Sequence, residues 1–287
     1  MPIDAELLKT ISTGFEATFQ ETYNSTSMEL EELATLVPSD DLQETYPFLG
    51  NLPNMRKWVG ARQHQELTSH KFTIVNDSYE ATVPVPAKYI KYDKAKLFAS
   101  QIKTMAQNAK KFPNQLIADL INSGKTNLCY DGKPFFATDH EMGSATYSNV
   151  STLALNATNL GAAFDFMSAI ENESGEAMGI QPNLLLVGPK NRANAKKLVG
   201  LDQNGTNENF ELVDYKVTPA LKGFEWCLLD TTKAVKPFIL QIAEDASFEE
   251  DTGLLFSEDK MVYGTKAFWN AGYALWQLAW FSDGTGA

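Results

Sequence analysis

ARQHQELTSHKFTIVNDSYEATVPVPAKYI, residues 61–90, decides how the rest of the chain is read. Two extended runs rich in Phe, Thr, Ile, Val and Tyr flank the turn signal Asn76-Asp77-Ser78, and together they predict a hairpin. Pro84 and Pro86 fall two apart in the second run. Both lack an N–H on the same side of the strand, so this run belongs at a sheet edge or leaves the sheet. An arm of about twelve residues at about 3.3 Å each reaches about 40 Å. That is longer than a strand of a compact core and would carry the arm beyond its own subunit.

The flanking segments are helical. Leu7, Ile11, Phe15 and Phe19 recur every four residues within 4–22, with Asp4 available as N-cap, which predicts an amphipathic helix docked on a neighbour such as another subunit. From Ala95 to Ser123, Phe98, Ile102, Met105, Ala109, Phe112, Leu116 and Leu120 keep helical spacing. Pro113 in the middle predicts a kinked spine or two abutting helices, stopped at Gly124. Residues 141–158 are small and polar and read as a boundary. Beyond it, a helix opens at Thr158 or Asn159 and runs through Phe164, Met167 and Ile170 towards Gly175. A buried strand follows at Asn183–Val187, stopped by Gly188-Pro189, and then a helix carrying Ala193, Ala195 and Leu198. Strand runs at Phe210–Val217, Glu225–Leu229 and Phe238–Ile242 and an aromatic-rich stretch at Tyr263–Phe281 complete an α+β chain.

Composition narrows the function. A hydrophobic fraction of 44% is that of a folded chain, and a formal charge of −12 without a basic, aromatic-interleaved run argues against a nucleic-acid groove. No run of about eighteen apolar residues suggests a membrane span, the N-terminus does not read as a leader, and a cytosolic protein is expected where it is made. Two distant cysteines, Cys129 and Cys227, offer no disulfide framework.

LCYDGKPFFATDH, residues 128–140, is the one cluster that resembles chemistry. Cys129, Asp131, Asp139 and His140 are ligand types that zinc accepts, but their spacing fits no recognised pair motif. Asp131 to Pro134 reads as a tight turn and Phe135-Phe136 as core, so a turn-and-packing role is preferred. A Cys-His pair has few options, because the histidines are only His64, His70 and His140. Gly124-Lys125-Thr126 is not a phosphate loop, since Asp119 stands where that motif needs glycine and the helix precedes the glycine. Phe98, Met105 and Phe112, and likewise Trp269, Trp276 and Trp280, read as core before they read as ligand groove or stacking platform.

Several stretches, in this order, resemble the major head subunit of Mu-like tailed phages: LLKTISTGFEATF with LATLVPSDDLQETYPFLGNLPNMRKWVGAR, HKFTIVNDSYEATVPV, LCYDGKPFFATDH, and QPNLLLVGPKNRANAKKL with FELVDYKVTPALKGFEWCLLD. The resemblance implies the tailed-phage capsid (Hong Kong 97) fold. On this sequence it implies an N-terminal arm at 1–55, an extended hairpin loop at 56–92, a peripheral domain with the spine helix at 93–157, an axial domain at 158–246 and a return to the peripheral domain at 247–287. It further implies a non-enzymatic subunit that self-assembles into pentamers and hexamers of an icosahedral head around double-stranded DNA. No cofactor or metal is expected. A separate scaffold protein, a portal protein and a decoration protein are the implied partners, with no membrane. The implied location is the virion capsid, and the host cytoplasm during assembly. Contacts between subunits are expected at Phe15, Phe19, Trp58, His70, Phe72 and Tyr79. One departure stands out: where the family often carries an acidic stretch after the loop, this chain has YIKYDKAK, with Lys88, Lys91, Lys94 and Lys96. The alternatives are an encapsulin-like shell protein, or a thiol or metal hydrolase using Cys129, Asp139 and His140.

Overall fold

The computed structural model describes residues 5–49, 69–92, 94–173, 175–200, 209, 211–251, 253–254 and 258–286. Its opening helix α1 (Ala5–Ser25) follows the four-residue apolar spacing. The neighbour it docks on is its own chain. Phe15, Phe19 and Tyr23 enter a core with Tyr263 and Phe248, and the Tyr23 hydroxyl donates to Asp245.

That core lies against a four-stranded sheet. β1 (Ala34–Pro38) runs parallel to β11 (Phe238–Asp251), β11 antiparallel to β12 (Lys260–Tyr273), and β12 antiparallel to β4 (Asp77–Pro86). β4 is an edge strand, as Pro84 and Pro86 require.

The hairpin predicted around residues 76–78 is corrected by the pairing. β3 (Ser69–Val75) does not pair with β4; it pairs antiparallel with β2 (Gln43–Leu49), from Gln43 opposite Val75 to Leu49 opposite Ser69. The turn signal marks a corner where the chain leaves this ribbon for the sheet. Asn76 is buried there, its N–H donating to the Leu42 carbonyl at 2.8 Å and its Nδ2 to the Asp41 carbonyl at 2.9 Å. The ribbon's first arm therefore falls within the span expected to be N-terminal arm, and Trp58 lies outside the described residues.

The ribbon is fastened at its base. The Tyr46 hydroxyl donates to Gln241 Oε1 at 2.7 Å, and Asn270 Nδ2 donates to the Val75 carbonyl at 2.7 Å. Gly272 permits the close approach, since a Cβ there would lie 2.5 Å from Ile74 Cδ1.

A short α2 (Ala87–Lys91) and a 3₁₀ turn at Ala95–Phe98 lead into the spine. The spine α3 (Ala99–Ser123) is one continuous helix through Pro113, not two abutting ones. Gly124 ends it with φ −61°, so the stop is not a left-handed cap. Glycine is needed because a Cβ would stand 2.5 Å from the Phe136 ring.

After α3 the boundary segment contains a small hairpin, β5 (His140–Met142) with β6 (Ala145–Tyr147), and then β7 (Val150–Ser151). α4 (Ala157–Ser168) is capped by Asn156, which accepts from the Asn159 N–H at 2.8 Å. β8 (Leu184–Val187), α5 (Arg192–Val199), β9 (Asp214–Val217), β10 (Trp226–Leu229) and β13 (Ala279–Ser282) follow. Their five-stranded sheet has the order β7-β13-β10-β8-β9. β8 is apolar and buried at every position, as a central strand covered on both faces should be.

Residue 246 falls inside β11, which belongs to the first sheet over its whole length. The last segment divides: β12 joins the first sheet and β13 the second.

Candidate functional site

Residues 128–140 join the two sheets. Phe135 stacks on Tyr273 of β12 with ring centroids 4.6 Å apart, while Phe136 packs 5.0 Å from Phe281 of β13. Buried Asn149 ties the segment down by donating to the carbonyls of Phe135, Trp276 and Ala279 and accepting from the Ala137 N–H.

Within this segment the carboxylate of Asp131 is the hub. It accepts from the Cys129 thiol at 3.1 Å and the Lys133 N–H at 3.0 Å, and it meets His140 Nδ1 at 2.6 Å. The Lys133 contact is an Asx-turn, which Asp131-Gly132 signals in sequence. His140 is fully buried, flat against Trp276 at 4.1 Å, with Nε2 3.3 Å from the Phe135 carbonyl.

The set Cys129, Asp139 and His140 is not brought together. Asp139 instead pairs with Lys133 at the surface, 2.5 Å apart. Asp131 takes its place, and the ligand atoms of Cys129, Asp131 and His140 lie within 4.8 Å of one another, the group best placed to hold a metal among the described residues. The arrangement does not activate the thiol, which donates to a carboxylate and not to an imidazole. Burial first, and then the Asp131 charge, push the Cys129 thiol up; burial likewise pushes up Cys227. A protonated thiol is a poor nucleophile and a poor metal ligand. Burial also works to raise Asp131, but hydrogen bonds from His140, Cys129 and the Lys133 N–H outweigh it and hold the carboxyl below its ordinary value. The cluster is a satisfied polar network at the joint between two sheets.

The residues expected to touch other subunits are placed variously. Phe15 and Phe19 are 5% and 0% exposed, so their side chains have almost no area left for a neighbour. Phe72 is half-buried on the ribbon, 6.3 Å from the Tyr273 ring. His70 sits on β3 opposite Phe48. Tyr79 is half-buried beside Phe112, at 4.5 Å, and Trp269. These three aromatics border a cavity of about 140 Å³ between α3 and the sheet. Trp269 Nε1 and Thr265 Oγ1, both from residues bordering this cavity, are buried without a hydrogen-bond partner among the described residues. Phe112 and Trp269 read as core in sequence because helical and strand spacing show that a residue faces inward, not that a gap remains beside it.

The chain is thus a two-sheet α+β fold with a long helix, a long strand pair and a ribbon, and its cluster of ligand-type side chains is satisfied by its own hydrogen bonds. Its fold is that of tailed-phage capsid proteins. The chain is similar to a chain of the procapsid of bacteriophage JBD30, at 25% identity and a TM-score of 0.64, covering 98% of this chain and 76% of that one. It matches the family described as Mu-like prophage major head subunit gpT over residues 8–154, 147–221 and 216–285, and it belongs to that family. Curated relatives include the major capsid protein of Escherichia phage Mu, 24% identical over 276 residues, covering 95% of this chain and 72% of the relative. Another is the Mu-like prophage FluMu major head subunit of Haemophilus influenzae, 25% identical over 285 residues, covering 96% and 73%. The chain is a major capsid subunit, not an enzyme.

Proposed function

We propose that copies of this chain close into pentamers and hexamers and that these build an icosahedral head around double-stranded DNA. The observation that carries the reading is a family match running from residue 8 to residue 285, nearly the whole chain. Rings arise when a head-to-tail interface closes on itself, and small adjustments between the two sheet regions let one chain serve rings of both sizes. The ribbon lies across neighbours, with Phe72 and Tyr79 as contacts. The cavity beside Tyr79 supports this, because a neighbour that fills it removes apolar surface from water.

A separate scaffold protein guides assembly, a portal occupies one vertex and a decoration protein binds the finished shell. Assembly takes place in the host cytoplasm before the subunit resides in the virion. The formal charge of −12 suits a container for DNA, since it avoids adhesive phosphate contacts that would stall filling. Negative-stain electron microscopy of the chain, expressed alone and with the scaffold gene of its own genome, tests the proposal. Shells, or rings of five and six, are expected; a discrete monomer or small oligomer under both conditions would overturn it.

A further inference from the structure

Where β4 ends, the chain turns through α2 and the following 3₁₀ turn and presents Lys88, Lys91, Lys94 and Lys96, all exposed, within nine residues. None of the four forms an ion pair among the described residues. Beside them stand Tyr92 and Leu97, 68% and 65% exposed, while Ile90 on the same turn is fully buried. The corner is fixed in place. Ala87 N–H donates to the Asp259 carbonyl at 2.8 Å, Lys94 N–H donates to the Tyr89 carbonyl at 2.7 Å, and Tyr89 packs edge-on against Phe98 at 5.3 Å.

The complementary feature lies on β11. Glu249, Glu250 and Asp251 are consecutive and exposed, and none of them is ion-paired among the described residues. Neither group therefore neutralises the other within the described residues of the chain. The basic corner, with its two exposed apolar side chains, is opposite in charge to the acidic end of β11.

We propose that the Lys88–Leu97 corner is a docking surface for the Glu249–Asp251 end of β11 from a second copy of this chain. This rests on the assembly reading above. The apolar pair supplies the buried centre of the contact and the lysines its rim and register, because complementary charge fixes orientation and like charge across an interface is strongly disfavoured.

The test uses two variants, K88E/K91E/K94E/K96E and E249K/E250K/D251K, each made alone and then co-expressed 1:1, under conditions where the unaltered chain gives shells. Each variant alone should lower shell yield at least about tenfold, as like charges meet across the contact. Both should melt within a few degrees of the unaltered chain, because every substituted position is exposed. Co-expression should raise assembly several-fold above either variant alone, since a reversed corner meets a reversed strand wherever the two variants alternate, although a five-membered head-to-tail ring keeps one like-charged junction. Compensation within one chain cannot be rescued by mixing, so a mixture that assembles no better than the separate variants would overturn the proposal. Full assembly of the lysine variant would overturn it too. If the unaltered chain gives no shells, the assembly reading itself falls, and this inference falls with it.

Discussion

Replacing Asp131 with alanine removes the acceptor shared by three donors: His140 Nδ1 at 2.6 Å, the Lys133 N–H at 3.0 Å and the Cys129 thiol at 3.1 Å. Water does not substitute readily, since the side chains of His140 and Asp131 are 0% and 11% exposed. A buried hydrogen-bonding group left unpaired costs about 1–3 kcal/mol. The thiol is a weak donor and adds little. Asp131→Ala leaves two stronger groups without their partner, His140 Nδ1 and the Lys133 N–H, and is therefore expected to lower unfolding free energy by about 2–5 kcal/mol. Asp131→Asn keeps an acceptor for Lys133 and should cost less, about 1–3 kcal/mol. Urea unfolding followed by tryptophan fluorescence reads this directly, because Trp276 lies flat on the His140 ring. The carboxyl is held below its ordinary value, so the folded chain binds fewer protons there than the unfolded chain near pH 4. The stabilisation is present above the unfolded value of about 3.9 and is lost as pH falls through the folded one. Asp131→Ala should accordingly flatten the acid limb of the stability curve. A loss under about 1 kcal/mol, or an acid limb as steep as before, would refute the hub.

Other expectations follow from packing. Gly124→Ala keeps a helical φ yet sets a Cβ 2.5 Å from the Phe136 ring, so it should cost about 1–3 kcal/mol and be partly rescued by Phe136→Leu, read as melting temperature. Gly272→Val drives a side chain into Ile74 and Phe72 and should loosen the ribbon, seen as faster amide exchange in β2 and β3 while β8 and β10 stay protected. Phe19→Ala empties a fully buried site and should cost about 3–5 kcal/mol, with α1 losing protection first. Cys129 and Cys227 should resist iodoacetamide in the folded chain and react after denaturation; rapid native labelling would show that burial does not hold the thiols protonated.

Much of the fold is legible because its signals are local. Phe15 and Phe19 announce a helix face, the Leu184–Val187 run a covered strand, and the paired prolines an edge. Pairing is not local, and there the reading of sequence failed. Val75 and Ser78 look like the two sides of a hairpin, yet β3 finds its partner in Gln43–Leu49, across a segment of nineteen residues that no spacing rule bridges. Asn76 suits either a hairpin turn or a corner, and only its hydrogen bonds to Leu42 and Asp41 decide between them. The same limit applies at the cluster. The residue types at 129, 131, 139 and 140 were evident, but that Asp131 and not Asp139 faces inward depends on the Lys133 turn and on Trp276, far along the chain.

The internal anchoring bears on how a shell can be built from modest contacts. α1 is fixed by Phe15, Phe19 and the Tyr23 to Asp245 hydrogen bond, and the ribbon base by Tyr46, Asn270 and the close approach at Gly272. α1 and the ribbon base are ordered when the monomer folds, so these two elements lose little conformational entropy when copies meet. Each contact can then be weak enough to reverse while a closed shell, in which many act together, does not come apart. A charged corner suits that regime better than a large apolar face: its strength falls with salt, and it sets register before the apolar centre seats. Raising ionic strength should therefore slow assembly of the unaltered chain more than it lowers the stability of shells already closed.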